Sequence, residues 1–237
     1  MSTSPRIVIV GGHGKVALLT APKLASRGFS VEGIIRDPGQ RGDLEAAQAA
    51  PVELDIESAS VDELATAFRG AAAIVFAAGA GGGDPERTRA IDFEAAVQSM
   101  TAARRAEVSR FVLVSYARAG VDVNVIDPSD SFFPYAKAKH DADRHLRGTD
   151  LEYTILGPGR LTLEPATGAI TIADEEGRID GNEPGGDNAS TSRENVAEVI
   201  AHVLAEGAAI RSTVNFYDGQ TPIAQALATV PAGSDGV

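Results

Sequence analysis

A serine, a tyrosine and a lysine in the middle of the chain are residue types that can transfer protons. Ser115 directly follows the apolar run RFVLV, and Tyr135 and Lys139 lie four residues apart in YAKAK. Side chains at this spacing share a helix face, so the lysine ammonium should lower the pKa of the tyrosine. We expect Tyr135 to exchange a proton with a substrate oxygen that Ser115 hydrogen-bonds. The alternative is a helix with a packed tyrosine and a solvated lysine.

A glycine-rich stretch near the start of the chain indicates a second kind of chemistry. Gly11, Gly14 and Ala17 form G-x-x-G-x-x-A directly after the apolar run RIVIV. Small residues there permit a tight turn, let backbone amides approach a pyrophosphate, and let a helix pack closely on a strand. The helix N-terminus adds partial positive charge. The motif therefore predicts a dinucleotide site, with an ordinary glycine-rich turn as the alternative.

The end of the second predicted strand bears on which dinucleotide binds. It reads IIRDP and places Arg36 before Asp37. A carboxylate at this position usually receives the ribose hydroxyls of NAD, whereas an arginine suits the additional phosphate of NADP. Arg36 can make a paired contact to phosphate, and Lys15 in the glycine loop supplies a second cation. We expect NADP rather than NAD, although Arg36 and Asp37 also fit a solvated surface pair.

Two further strand ends are expected to complete the cofactor site. Asp55 follows the third predicted strand, where it can accept a hydrogen bond from an adenine amino group or cap a helix. Ala77, Ala78 and Gly79 follow the fourth strand and are small enough for the cofactor ribose to lie across them.

Apolar runs that suggest burial on both faces alternate with amphipathic segments along the chain. We predict strands at 6–10, 29–36, 51–54, 72–78, 110–115, 151–156 and 212–217. We predict helices at 14–27, 61–69, 86–106, 135–147, 192–206 and 221–228. This alternation predicts an α/β protein with a doubly wound parallel sheet, a Rossmann fold in three αβα layers.

The order of elements predicts one dinucleotide-binding domain over residues 1–237, with a small substrate-side excursion at about 157–190. In that excursion the alternation gives way to Gly-, Pro- and Asp-rich sequence with one candidate hairpin, ITIADEEGRI. Phe132 and Phe133 precede the helix of Tyr135, and we expect them to pack at the helix entry. The alternative is that they line an aromatic pocket.

Composition excludes several classes of partner. The net charge of −12 argues against nucleic acid, and four histidines without any cysteine leave little for a zinc site. No apolar run is long enough to span a bilayer, and MSTSP lacks the pattern of a secretory signal. We expect a cytoplasmic protein that acts on a small molecule and needs no metal, nucleic acid or membrane. A monomer and a homodimer remain equally open.

Taken together, the motifs VIVGGHGKVA, FVLVSYA, YAKAK and SRENVAEVIAHVL resemble those of an atypical short-chain dehydrogenase/reductase of the NAD(P)H-binding, NmrA-like type. That group includes biliverdin and flavin reductases, and the resemblance runs from about Arg6 to about Leu227. It implies a Ser115, Tyr135 and Lys139 active site. It also implies NADP contacts from Gly11, His13, Gly14, Lys15, Val16 and Arg36.

Two departures from the family pattern concern the substrate side. Gly157 stands where the family often has the arginine of R-P-G, and the segment between Ser115 and Tyr135 is longer than in typical catalytic members. We expect an NADPH-dependent oxidoreductase that transfers hydride to a small carbonyl, quinone or flavin-like acceptor. The alternatives are a non-catalytic NADP(H) sensor that binds a partner protein and, third, a relative of nucleotide-sugar epimerases and dehydratases.

Overall fold

A computed structural model of the chain describes residues 4–233, apart from the side chain of Asp187. The strands are β1 (Arg6–Val10), β2 (Ser30–Ile35), β3 (Ala49–Glu53), β4 (Ala73–Phe76), β5 (Arg110–Val114), β6 (Glu152–Pro158), β7 (Arg160–Thr162), β8 (Ala169–Ala173), β9 (Ser190–Ser192), β10 (Ser212–Asp218) and β11 (Thr221–Pro222). The α-helices are α1 (Lys15–Ser26), α2 (Arg41–Ala46), α3 (Val61–Phe68), α4 (Pro85–Thr88), α5 (Ala96–Arg105), α6 (Phe133–Arg147), α7 (Arg193–Ala205) and α8 (Ile223–Leu227). Within residues 4–233, no helix has the length and apolar character needed to cross a bilayer.

The main sheet confirms the predicted doubly wound α/β fold. Seven strands run parallel in the order β3-β2-β1-β4-β5-β6-β10. The chain builds outward from β1 to β3, then crosses to β4 on the other side of β1. In sheets of this kind, ligands bind at the carboxyl ends of the strands where the order reverses. The gap between β1 and β4 is therefore the place where a site is expected.

Helices cover both faces of the sheet, which explains the continuous apolar runs of the strands. Ile7 and Ile9 of β1 pack on one face with α1, α7 and α8. Val8 and Val10 of the same strand pack on the other face with α3, α5 and α6. Every position of β1 from Ile7 to Val10 is therefore buried, whichever way its side chain points.

The predicted helix at 86–106 is not regular along its length. It consists of α4, a π-helical segment at Arg89–Ala95, and α5. A π-helix accommodates extra residues in its turns and re-aims the side chains that follow, and such segments are frequent at functional sites. Hydrophobic periodicity predicts a helix here but does not reveal the wider turn. The short helix α2 lies where no element was predicted.

Part of the predicted excursion at 157–190 belongs to the main sheet. The strand β8 pairs antiparallel with β10 and with β11, so ITIADEEGRI does not form a hairpin of its own. Instead the chain turns after β8, where Asp174 N–H donates to the Arg178 carbonyl at 2.9 Å. An apolar pattern identifies a strand but not the strand with which it pairs, which is why the predicted hairpin is wrong. Nearby, β7 pairs with β9 in a separate two-stranded sheet.

Candidate active site and cofactor cleft

The turn after β1 can be built only with glycine at two positions. Gly11 has φ of +83°, and a Cβ there would lie 2.6 Å from the Cα of Ala78. A Cβ on Gly12 would lie 2.6 Å from the Cα of Gly33. Gly12 also donates its N–H to the Ile34 carbonyl at 2.8 Å. The turn therefore touches the backbone of β2 and the segment after β4 directly.

Helix α1 begins at this turn with its N-terminus uncovered. Gly14 is the N-cap, makes no side-chain capping bond, and is followed by a first turn without acidic residues. The first N–H groups of a helix have no partner within it, and they carry the positive end of the helix dipole. Close backbone approach, free N–H groups and the absence of a competing carboxylate in this turn fit a pyrophosphate.

Two cavities meet at this turn and together contain all ten predicted cofactor residues. The first has a volume of about 310 Å³ and runs along the ends of β1, β2 and β4. Its lining includes Gly11, His13, Gly14, Arg36, Asp55, Ala77, Ala78 and Gly79. The second, of about 380 Å³, continues from Gly14 and the Ala77–Gly79 segment and adds Lys15 and Val16. The tertiary structure thus brings these residues into one cleft.

At the far end of the first cavity, two arginines converge on one carboxylate oxygen. Arg36 Nη1 lies 3.0 Å from Glu57 Oε1, and Arg87 Nη2 lies 3.2 Å from the same oxygen. Arg87, which the sequence did not single out, also donates through Nη1 to the Ala80 carbonyl at 3.1 Å. Two guanidinium groups arranged in this way are suited to a phosphate oxygen. Glu57 takes that place in the structure.

Three further polar side chains in or next to the first cavity bind other groups of the protein. His13 Nε2 lies 2.8 Å from Asp43 Oδ2 at the protein surface. Asp55 Oδ1 accepts the N–H of Glu57 at 3.1 Å while lining the cavity. Asp37, the residue after Arg36, accepts the N–H of Gly39 at 2.8 Å and caps a short 3-10 helix.

The second cavity contains the three predicted catalytic residues. Ser115 follows β5, Tyr135 and Lys139 lie on α6, and all three line this cavity together with the Ala77–Gly79 segment. Their partners were not predicted. Asp92 comes from the π-helical segment and lines the same cavity, and Asp143 lies one further helical turn along α6.

Lys139 is buried and held in place on two sides. Its side chain donates to the Val114 carbonyl at 2.8 Å, and Nζ lies 3.3 Å from Asp92 Oδ1. The other carboxylate oxygen of Asp92 accepts the N–H of Ala80 at 3.0 Å. Burial by itself would lower the pKa of Lys139, but the surrounding phenol and carboxylates outweigh it and raise that pKa. Lys139 is therefore a fixed ammonium group.

The lysine neighbour alone does not lower the pKa of Tyr135 below its ordinary value, contrary to what the spacing predicted. Burial raises the pKa of Tyr135, and the carboxylates of Asp92 and Asp143 add to that effect. Lys139 acts in the expected opposite direction but does not outweigh burial, and its Nζ lies 6.0 Å from the ring centre. Tyr135 is consequently a neutral phenol near pH 7, which is the form that can donate a proton.

The Ser115 hydroxyl is hydrogen-bonded to a buried carboxylate. Its Oγ donates to Asp143 Oδ2 at 2.9 Å, and Asp143 is only 1% exposed. Burial raises the pKa of Asp143 to about 6, although Arg147, Ser115, Lys139 and His140 oppose it. A hydroxyl has a single proton. While Asp143 is ionised, Ser115 donates its one proton to that carboxylate and presents only oxygen lone pairs to the cavity. Protonation of Asp143 would free the Ser115 hydroxyl proton for another acceptor.

Sequence reasoning missed Asp143 and Asp92 for different reasons. Asp143 lies four residues after Lys139, as Lys139 does after Tyr135, so the same helical spacing would have identified it. Asp92 stands in the apolar stretch AIDFEAA without a partner nearby in sequence. Its contact with Lys139 depends on how the π-helical segment packs against α6, which local sequence does not show.

A third cavity of about 420 Å³ opens beyond the catalytic residues and shares Ser115, Tyr135 and Leu161 with the second. Phe132 lies at the start of α6 and on the wall of this cavity with 45% exposure, so the expectation of buried packing at the helix entry is wrong for this residue and the aromatic-pocket alternative describes it. The departure at Gly157 also has a physical reason here. A Cβ at this position would lie 2.2 Å from Asn215 Oδ1 and 3.1 Å from the Tyr116 carbonyl oxygen, so a larger residue would have to displace the Asn215 side chain.

The fold and the cleft define a Rossmann protein whose cleft suits a dinucleotide, with a serine, a tyrosine and a lysine lining the same cleft. Residues 11–207 match the model of the family described as NAD(P)H-binding. The chain belongs to that family.

The similarity to known relatives extends over nearly the whole chain. A protein of Bacillus subtilis called an uncharacterized sugar epimerase, YhfK, is 32% identical over 94% of this chain and 98% of its own length. A solved structure from Bacillus halodurans, provisionally named an NAD-dependent epimerase/dehydratase, has a TM-score of 0.83 at 30% identity and covers 94% of this chain and 99% of that one. The oxidoreductase ylbE from Lactococcus lactis has a TM-score of 0.79 at 30% identity, with coverage of 95% and 96%.

Proposed function

We propose that this protein is an NADP(H)-dependent oxidoreductase that reduces a small carbonyl, quinone or flavin-like acceptor. The observation that carries the proposal is the continuity of the cleft. It begins at the glycine turn, passes the Ala77–Gly79 segment, and reaches Tyr135 and Lys139 without leaving the carboxyl edge of the sheet. A dinucleotide whose pyrophosphate lies at α1 would therefore have its nicotinamide end beside a proton donor.

The preference for NADP rests on the two arginines at the opposite end. Arg36 and Arg87 already share an anionic oxygen, that of Glu57, and can exchange it for an oxygen of the ribose phosphate. Lys15 lines the second cavity close to the expected pyrophosphate. NAD lacks this ribose phosphate, so with NAD the two arginines would keep Glu57 as their shared charged partner.

In the reduction, the bound nicotinamide supplies the hydride, and the protein supplies position and a proton. Tyr135 donates its phenolic proton to the acceptor oxygen, for which its neutral state is required. Lys139, fixed by Val114 and Asp92, stabilises the phenolate that remains. Ser115 helps to place the acceptor oxygen, and its hydroxyl can donate to that oxygen when Asp143 is protonated.

Titration with NADPH and NADH, followed by a panel of acceptors monitored at the nicotinamide absorbance, tests cofactor choice and turnover together. The Tyr135→Phe variant should lose about 10²- to 10⁴-fold in turnover of a carbonyl substrate, because it removes the general acid. Its melting temperature and its affinity for NADPH should stay close to those of the unmodified protein.

Two results would redirect the proposal. Tight binding of NADPH without turnover of any acceptor would favour the non-catalytic NADP(H) sensor. Carbonyl reduction that survives Tyr135→Phe would show that the tyrosine is not the acid, and direct hydride transfer to a flavin or quinone would then be preferred.

A further inference from the structure

The third cavity is where an acceptor must extend, because it is joined to the catalytic residues. Ser115 and Tyr135 line both the second and the third cavities. An acceptor whose reacting oxygen lies at these two side chains therefore projects the rest of its structure into the third cavity. The chemistry of that cavity indicates the class of acceptor.

One wall of the third cavity consists of three aromatic rings in mutual contact. Tyr116 and Phe132 meet edge to face with ring centres 5.6 Å apart, and Tyr135 lies 5.6 Å from Tyr116 and 5.5 Å from Phe132. Burial raises the pKa of Tyr116, so its ring carries no charge near pH 7. Rings arranged in this way favour a flat conjugated group lying against them.

The cavity also holds a guanidinium group without a charged partner among the side chains that the structure describes. Arg160 lines it, is exposed, and donates through Nη2 to Ser190 Oγ at 2.9 Å. Arg118 in the same cavity differs, because its Nη1 pairs with Glu183 Oε1 at 2.7 Å. In a chain with 33 acidic and 21 basic residues, an arginine that lines this cavity without a carboxylate partner among the described side chains is available to pair with an anionic group.

We propose that the substrate is a flat conjugated aldehyde or ketone that carries a carboxylate. Its carbonyl oxygen lies at Tyr135 and Ser115, its ring lies against Tyr116 and Phe132, and its carboxylate pairs with Arg160. This inference rests on the carbonyl reduction proposed above and names the substrate class of that reaction. A cavity of about 420 Å³ suits a compound of one or two rings.

The reaction is balanced by groups already named. The carbonyl carbon accepts a hydride from NADPH, the carbonyl π bond breaks toward oxygen, and that oxygen takes the proton of Tyr135. An alcohol and NADP⁺ result, and Tyr135 regains a proton from solvent. The carboxylate takes no part in bond formation and serves only to bind and orient the substrate.

A pair of probes that differ in charge tests the anion site. Calorimetric titrations with 4-carboxybenzaldehyde and with its neutral methyl ester, each with and without saturating NADP⁺, measure binding in the absence of turnover. We expect the acid to bind about tenfold more tightly than the ester, a difference of about 1.4 kcal/mol, because only the acid can form a charge-assisted pair with Arg160. Arg160→Gln should abolish that difference. Arg178→Gln is the matched control, because the Arg178 side chain is 40% exposed, pairs with Glu176 and lies outside the cavity, so it should retain the difference.

A second comparison tests the aromatic wall at constant charge. Phe132→Leu should weaken 4-carboxybenzaldehyde about threefold to tenfold, because ring contacts of this kind contribute about 0.5–1.5 kcal/mol. Binding of succinic semialdehyde, which carries a carboxylate but no ring, should not change. Since Phe132 is partly exposed, this variant is expected to fold normally.

Equal affinity for acid and ester, or a preference for the acid that persists in Arg160→Gln, would overturn the inference. So would equal weakening of both aldehydes by Phe132→Leu. These results are distinguishable from failure of the proposed function. An Arg160-dependent preference without turnover of any acceptor would retain the anion site and reject the reductase, whereas turnover of the ester alone would retain the reductase and reject the anion site.

Discussion

The two ends of the cleft are built in opposite ways. Around the glycine turn, the structure depends on backbone in close contact with backbone, and its charged side chains lie at the surface. Around Tyr135, the structure depends on ionisable side chains taken out of water, and Lys139, Asp92 and Asp143 are each at most 3% exposed. The first arrangement tolerates almost no added volume. The second tolerates almost no change of charge.

The proposed function accounts for this difference. A pyrophosphate is held by N–H groups, so the chain there needs small residues and an open helix end. Proton transfer needs groups whose protonation is controlled, and burial combined with neighbouring charges provides that control. Substitutions of equal size should therefore have different consequences at the two ends.

The largest effect is expected from removing the buried ammonium. Lys139→Met leaves the Asp92 carboxylate without its charged partner, which should lower the free energy of unfolding by about 4 kcal/mol at pH 7. Lys137→Met is the control on the same helix. Its side chain is 51% exposed and pairs with Asp141, so we expect a change below about 1 kcal/mol. Urea denaturation followed by circular dichroism measures both, and equal losses would refute the contrast.

The next largest effect concerns pH and Asp143. Its pKa is raised from 3.8 to about 6 in the folded protein, so between these values the folded chain keeps a proton that the unfolded chain has lost. Stability should therefore fall as the pH rises through this interval, by about 3 kcal/mol in total. Asp143→Asn should lack this slope. Unfolding free energies measured from pH 4 to pH 7 test the prediction, and parallel curves for the two proteins would contradict it.

At the glycine end of the cleft, one added methyl group should be enough to lower both stability and dinucleotide affinity. Gly12→Ala places a Cβ 2.6 Å from the backbone of Gly33, and the strain should cost about 2 kcal/mol and weaken dinucleotide binding. Gly42→Ala in α2 meets no atom within 4 Å and should be neutral or slightly stabilising. Melting temperatures and NADPH titrations of both variants provide the measurement. A Gly12→Ala protein that matches its control would show that the backbone contact is not needed.

The smallest effects are expected at the exposed arginine pair, and they should have opposite signs. Arg36→Ala should weaken NADPH about tenfold and leave NADH unchanged, because it removes a charge-assisted phosphate contact. Glu57→Gln should tighten NADPH about threefold, since the competing carboxylate holds the two arginines only through exposed pairs. Fluorescence titration with both nucleotides tests this. Equal changes for NADPH and NADH would show that neither residue senses the phosphate.

The sequence by itself determined the seven parallel strands and the longer helices between them, the position of the glycine turn and the Tyr135–Lys139 spacing. Each of these depends on residues close together in the chain, through burial on two faces, backbone freedom or helical repeat. It did not determine that β8 joins β10, that Asp92 meets Lys139, or that Glu57 lies between two arginines.

Those features were decided only by the tertiary structure, because they join segments far apart in the chain. Asp92 reaches Lys139 through a π-helical segment packed against α6, and Arg36 reaches Arg87 through Glu57 across the carboxyl edge of the sheet. The pKa of Tyr135 is the sharpest example. Its lysine neighbour could be identified from the spacing alone, but the burial that outweighs that neighbour exists only once the sheet, α6 and the segment after β5 have come together.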